Sequence, residues 1–85
     1  SLQQEFYTAR TSAMVALTRI PLTEAGSNEA QRGLTLVFAQ YRAKNATITD
    51  VVDAQAAYAA ARMAYYQAII DYRVARVRLE QDLGK

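Results

Sequence analysis

Cysteine, histidine and tryptophan are absent from the chain, and its 85 residues include one proline and three glycines. The first absence rules out a disulfide framework and any thiolate metal site, while leaving an oxidising compartment permissible. The second removes the commonest general base and the commonest transition-metal ligand. Neither sign of charge dominates: ten Lys and Arg stand against eight Asp and Glu, for a formal net charge of +2. The basic residues are dispersed apart from Arg73, Arg76 and Arg78, which leaves no footprint for nucleic acid and too ragged a basic face for a membrane surface. No apolar run approaches the ~20 residues that cross a bilayer. The start, Ser1-Leu2-Gln3-Gln4-Glu5, has neither the basic nor the apolar region of a signal peptide. Because the sequence opens and closes in helical pattern, it is expected to be a piece of a longer polypeptide.

What is present is periodicity. Stepping back from Tyr41 by alternating fours and threes gives Val37, Leu34, Ala30, Ser27, Thr23, Ile20, Ala16, Ala13 and Ala9. That is coiled-coil spacing, and its small residues require a partner that approaches closely or supplies the bulk. A second apolar set, Phe6, Met14, Leu17, Leu36 and Phe38, falls partly off the line. Pro21 and Gly26 interrupt the pattern. A proline inside a helix removes a backbone donor and clashes with the preceding turn, so a kink or break is expected between about Thr18 and Asn28. The heptad phase carries across the interruption, which favours one bent helix over a loop between two.

The second half repeats the pattern more strongly. Val51, Ala54, Tyr58, Ala61, Tyr65, Ala68, Tyr72, Ala75 and Leu79 alternate small and large residues at the same spacing, so that bulk on one helix can fill space left by the other. Tyr58, Tyr65 and Tyr72 read as packing residues. Beside them runs a parallel stripe, Val52, Ala56, Met63, Ile70, Val74 and Val77. Two apolar seams on one helix imply a neighbour on each side, as in a bundle or a ring of helices. Leu83-Gly84 places glycine where helices commonly stop.

Between the arms lies the only reversal, at residues 44–47. Lys44 suits the carbonyl end of a helix dipole, Asn45 tolerates left-handed backbone, and Thr47 with Asp50 three residues on makes a capping box. The fold class that follows is all-α: a long antiparallel helical hairpin, with a first arm over 2–43 kinked near 21–28, a tip at 44–47 and a second arm over 48–83. At ~1.5 Å per residue each arm extends roughly 50 to 60 Å. Asp50 and Asp53 are the only paired carboxylates near a special position. Without a nucleophile, a base or a concave pocket they do not form a catalytic pair, so no enzyme, metal or cofactor is expected. Capping and dipole stabilisation account for both aspartates locally; repeated about an axis, they would form a cation-attracting ring at a constriction. Arg73, Arg76 and Arg78 read as solvated or as partners for Asp71 or Glu80.

Tyr41, the short turn, and Thr47-Ile48-Thr49-Asp50-Val51-Val52-Asp53-Ala54 followed by a long alanine- and tyrosine-rich helix resemble the periplasmic hairpin tip of the TolC-like outer membrane efflux proteins. The resemblance runs from about Glu29 to Gly84, to the second, C-terminal hairpin of that family. It implies a fragment of an α-barrel, a trimeric tunnel that projects through the periplasm from an outer membrane β-barrel. It further implies a periplasmic adaptor protein as partner, an inner membrane transporter acting through that adaptor, and substrate export as the function. Asp50 and Asp53 match the aspartates that line the family's entrance. Tyr41 matches a tyrosine that helps hold the entrance closed, and Lys44, Asn45 and Thr47 fall at the tip where gating and adaptor contact are expected. Two departures stand out: the family usually has glycine where Lys44 stands, and Ala46 replaces an arginine that latches the entrance in some members. With Lys44 there, Asn45 is expected to supply the left-handed residue of the turn. The alternatives are a stand-alone helical coiled-coil interaction module and, behind it, an amphipathic helical protein that binds a membrane surface or lipid, despite the ragged basic face.

Overall fold

The computed structural model describes residues 2–84, which form two helices, α1 (Leu2–Arg42) and α2 (Ile48–Leu83), packed side by side as one antiparallel hairpin. The molecule is a rod of 62 × 16 × 15 Å. A helix of 41 residues at ~1.5 Å each accounts for that length, so both arms run nearly end to end.

The small-residue seam decides how the arms meet. Ala9, Ala13, Ala16 and Ser27 of α1, and Val51, Ala68 and Ala75 of α2, are buried. The remaining seam positions, Ile20, Thr23, Ala30, Leu34, Val37, Ala54, Tyr58, Ala61, Tyr65, Tyr72 and Leu79, are half-buried. Only Tyr41, at the tip, stays exposed on the seam. The turn is centred on Asn45, and Arg19 reaches Asp71 across the pair at 3.4 Å, so residues whose numbers add to ninety lie at the same level along the rod. By that register Tyr65 falls between Thr23 and Ser27, and Tyr72 between Ala16 and Ile20. Tyr65 therefore faces two small residues on α1 and Tyr72 one small residue beside Ile20, most of the complementarity that interlocking seams require.

α1 runs unbroken through Pro21 and Gly26. Pro21 has no N–H for the Leu17 carbonyl, and two threonines bracket the gap. Thr18 donates its hydroxyl back to the Met14 carbonyl at 2.6 Å, and Thr23 to the Arg19 carbonyl at 2.7 Å, which satisfies their polar groups within the helix. Continuity is sustained by the seam on either side, where Ala16, Ile20 and Ser27 keep their places against α2.

The turn corrects one expectation. Asn45 does not carry the left-handed residue; Lys44 does, with φ 64°. The Asn45 N–H donates to the Gln40 carbonyl at 2.7 Å and the Lys44 N–H to the Tyr41 carbonyl at 3.0 Å. Those two bonds make a Schellman motif, in which the residue after the cap must be left-handed and is usually glycine. Geometry assigns that place to position 44 whatever residue stands there. At the far end Gly84 follows α2 with φ −74°, a right-handed value, and its N–H donates to the Glu80 carbonyl at 3.0 Å. Its freedom to adopt positive φ goes unused.

Candidate functional site

The tip is built from the turn outward. Thr47 caps α2 with extended backbone, its hydroxyl accepting from the Asp50 N–H at 3.2 Å while the Asp50 carboxylate accepts from the Thr47 N–H at 3.0 Å. This capping box satisfies two otherwise orphaned donors and sets the direction in which α2 leaves the turn. Val51, one residue on, is only 3 % exposed and closes the seam beneath the tip.

The residues singled out at the tip are thereby sorted. Lys44, Asn45, Thr47, Asp50 and Asp53 are exposed and cluster at one end of the rod, with Tyr41 42 % exposed beside them. One Asp50 oxygen is committed to the cap. Asp53, a turn further along α2, makes no hydrogen bond or ion pair among the described residues and presents a free carboxylate. Among the described residues no group of three or more His, Cys, Asp or Glu could hold a metal ion, and no helix is long and apolar enough to cross a membrane. No buried side-chain polar atom among them lacks a partner. The surface there carries exposed charged and hydrogen-bonding groups.

Away from the tip the structure brings together residues that the sequence left apart. Asp71 pairs with Arg19 on the other helix, and Gln67 holds its second oxygen at 2.8 Å; of the arginines near the end of α2, Arg76 pairs with Glu80 at 3.3 Å. Asp71 thus answers a cation of α1, and none of Arg73, Arg76 and Arg78. Both ion pairs are well exposed and contribute under about 1 kcal/mol each, so their value lies in marking register rather than in stability. Mid-rod, Arg62 lies between Tyr58 and Tyr66, 5.8 and 5.1 Å from their ring centroids, and donates to the Tyr66 hydroxyl. The four-residue spacing of these three was the available signal.

The apolar surface that remains uncovered is large. Val52, Met63, Ile70, Val74 and Val77 of α2 are all 46–71 % exposed, as are Met14, Val15, Leu17, Leu22 and Leu36 of α1 at 52–69 %. α1 covers one seam of α2 and leaves the second bare.

No family model, curated protein or solved structure matches the chain.

Proposed function

We propose that the chain is a wall element of a helical tube: the periplasmic hairpin of a trimeric outer membrane efflux or secretion channel. In this reading copies stand side by side with their tips aligned at the entrance. The observation that carries it is the second seam of α2. Ala56, Met63, Ile70 and Val77 recur every seven residues, all exposed, on the side of α2 turned away from α1. A seven-residue apolar repeat is the pattern that a neighbouring helix covers in a supercoiled pair. Bare patches of this size mark interaction surfaces in soluble chains.

The tip supports the same reading. Thr47-Ile48-x-Asp50-Val51-x-Asp53-Ala54 resembles the entrance motif of the TolC-like proteins, and the two aspartates take different parts. Asp50 holds the cap, and Asp53 supplies the free charge that a ring of copies would turn toward the entrance. Tyr41, Lys44, Asn45 and Thr47, exposed around it, are the groups a periplasmic adaptor would touch, and movement of the tip helices would open the passage.

The test is analytical ultracentrifugation with circular dichroism on the chain and on its Met63→Glu/Ile70→Glu variant, each with and without a candidate adaptor's hairpin domain. The wild type is expected to associate at about 100 μM and to bind the adaptor hairpin, and the variant to stay monomeric with the same helix content. A wild type that is a stable monomer indifferent to the adaptor would identify a self-contained helical hairpin instead.

A further inference from the structure

The side of α1 turned away from α2 carries a seven-residue repeat of its own. Thr11, Thr18, Ala25, Arg32 and Ala39 recur there, two positions past one line of the inner seam and two before the other, and all five are exposed. At ~100° per residue that spacing places them diametrically opposite α2. Four of the five are small. Thr18 turns its hydroxyl back to the Met14 carbonyl at 2.6 Å, so its donor is already satisfied within the helix. The side chain of Arg32, the one large member, makes no ion pair or hydrogen bond among the described residues.

This face and the outward stripe of α2 are complements. With residues that add to ninety at one level, Val77, Ile70, Met63 and Ala56 stand at the levels of residues 13, 20, 27 and 34. Each is two residues tipward of a member of the α1 repeat. The sizes alternate to match: Val77, Ile70 and Met63 are large where Thr11, Thr18 and Ala25 are small, and Ala56 is small where Arg32 is large. The inner seam uses the same offset, since Tyr72 and Tyr65 lie at levels 18 and 25, two beyond Ala16 and Thr23. Large side chains set against small ones at a fixed step are how seven-residue seams interlock. Charge agrees at the one place it enters. From Arg32 to the level of Asp53, the carboxylate left free on α2, is about 7.5 Å along the rod, a distance that an extended arginine covers.

On one hairpin these two faces look in opposite directions, so they can meet only between molecules. We propose that the outer face of α1 docks the outward stripe of α2 of a second copy of this chain, head to tail, with Arg32 of one copy bracing Asp53 of the other. That the partner is a copy pointing the same way rests on the tube reading; the fit of the two stripes in size and level does not. The contact is heterologous, because each copy offers α1 on one side and α2 on the other. Since both seams share one offset, successive copies stand level. Tips in one plane permit closure into a ring, whereas an axial step would build a climbing filament. Arg32 also supplies the counter-charge that a ring of Asp53 carboxylates needs against mutual repulsion.

Two variants block one face each: Thr11→Glu/Ala25→Glu on α1 and Met63→Glu/Ile70→Glu on α2, all at exposed positions outside the inner seam. Circular dichroism establishes that each keeps its helix content. In analytical ultracentrifugation at about 100 μM, each variant alone is expected to be monomeric, because every contact needs both faces. An equimolar mixture is expected to give a dimer of one chain of each kind and nothing larger, joined by the intact α1 face of one and the intact α2 stripe of the other. Arg32→Gln is expected to weaken wild-type association about threefold, as loss of an exposed ion pair does. Wild-type association retained by Thr11→Glu/Ala25→Glu, beside a monomeric Met63→Glu/Ile70→Glu, would overturn the proposal and leave the α2 stripe an interface of another kind. A mixture that stays monomeric while the wild type associates would sink it as well. A wild type that is monomeric at every concentration would remove the tube and the docking face together.

Discussion

Lys44 is a lysine in a glycine's place. An L-residue held left-handed costs roughly 1 kcal/mol relative to its ordinary backbone, and the two Schellman bonds around it show why the chain accepts the cost: they satisfy the Gln40 and Tyr41 carbonyls at the end of α1. Lys44→Gly is therefore expected to stabilise the hairpin by about 1 kcal/mol, read as a higher urea midpoint with an unchanged slope. The capping box three residues on was legible because it depends only on Thr47 and Asp50 at fixed local spacing. The residue that turns left-handed was not, because asparagine is the better intrinsic candidate and only the hydrogen-bond count back to Gln40 settles the position. The Arg19–Asp71 pair was invisible for a related reason: it depends on the register between two arms, which neither arm encodes alone.

At the scale of the helix, Pro21 tests how far packing overrides local preference. An interior proline costs a helix about 3 kcal/mol, yet α1 continues through it because the seam before and after it is held against α2. Pro21 is exposed, so Pro21→Ala removes the cost with little buried surface lost. Stability is expected to rise by about 2 kcal/mol, less than the full helix penalty because the unfolded chain also gains freedom. Thermal unfolding followed at 222 nm measures it, and an unchanged midpoint would mean that the ring carries no strain in place. Both seams were readable from sequence, since alternation by three and four is a property of each arm by itself. Val51, Ala68 and Ala75 stand buried where that alternation puts them, and the stripe through Met63 and Ile70 stands bare beside them. What the alternation could not tell was which seam α1 would choose; the smaller residues of the tyrosine–alanine seam permit the closer approach.

The whole molecule is long and thinly cored. Seven of the described residues are buried, and five of those are alanines, against sixteen large hydrophobic residues left exposed. So little buried area cannot hold two long helices firmly, and the hairpin's stability should be unevenly spread along its length. The turn spans only five residues, 43–47, so closing it costs little chain entropy, and Val51 is sealed immediately beyond it. Contacts at the other end, among Ala9, Ala13 and Ala75, join parts of the chain far apart in sequence and depend on every turn of seam between having already formed. The arms should consequently assemble like a zipper from the tip and part from the open end. Amide exchange would then be slowest around Val51 and Ala54 and quicken steadily toward Ala9 and Ala75, with uniform protection along both arms as the contrary result. In time as well as in space the turn comes first: the end where the chain reverses is the end that folds earliest and opens last.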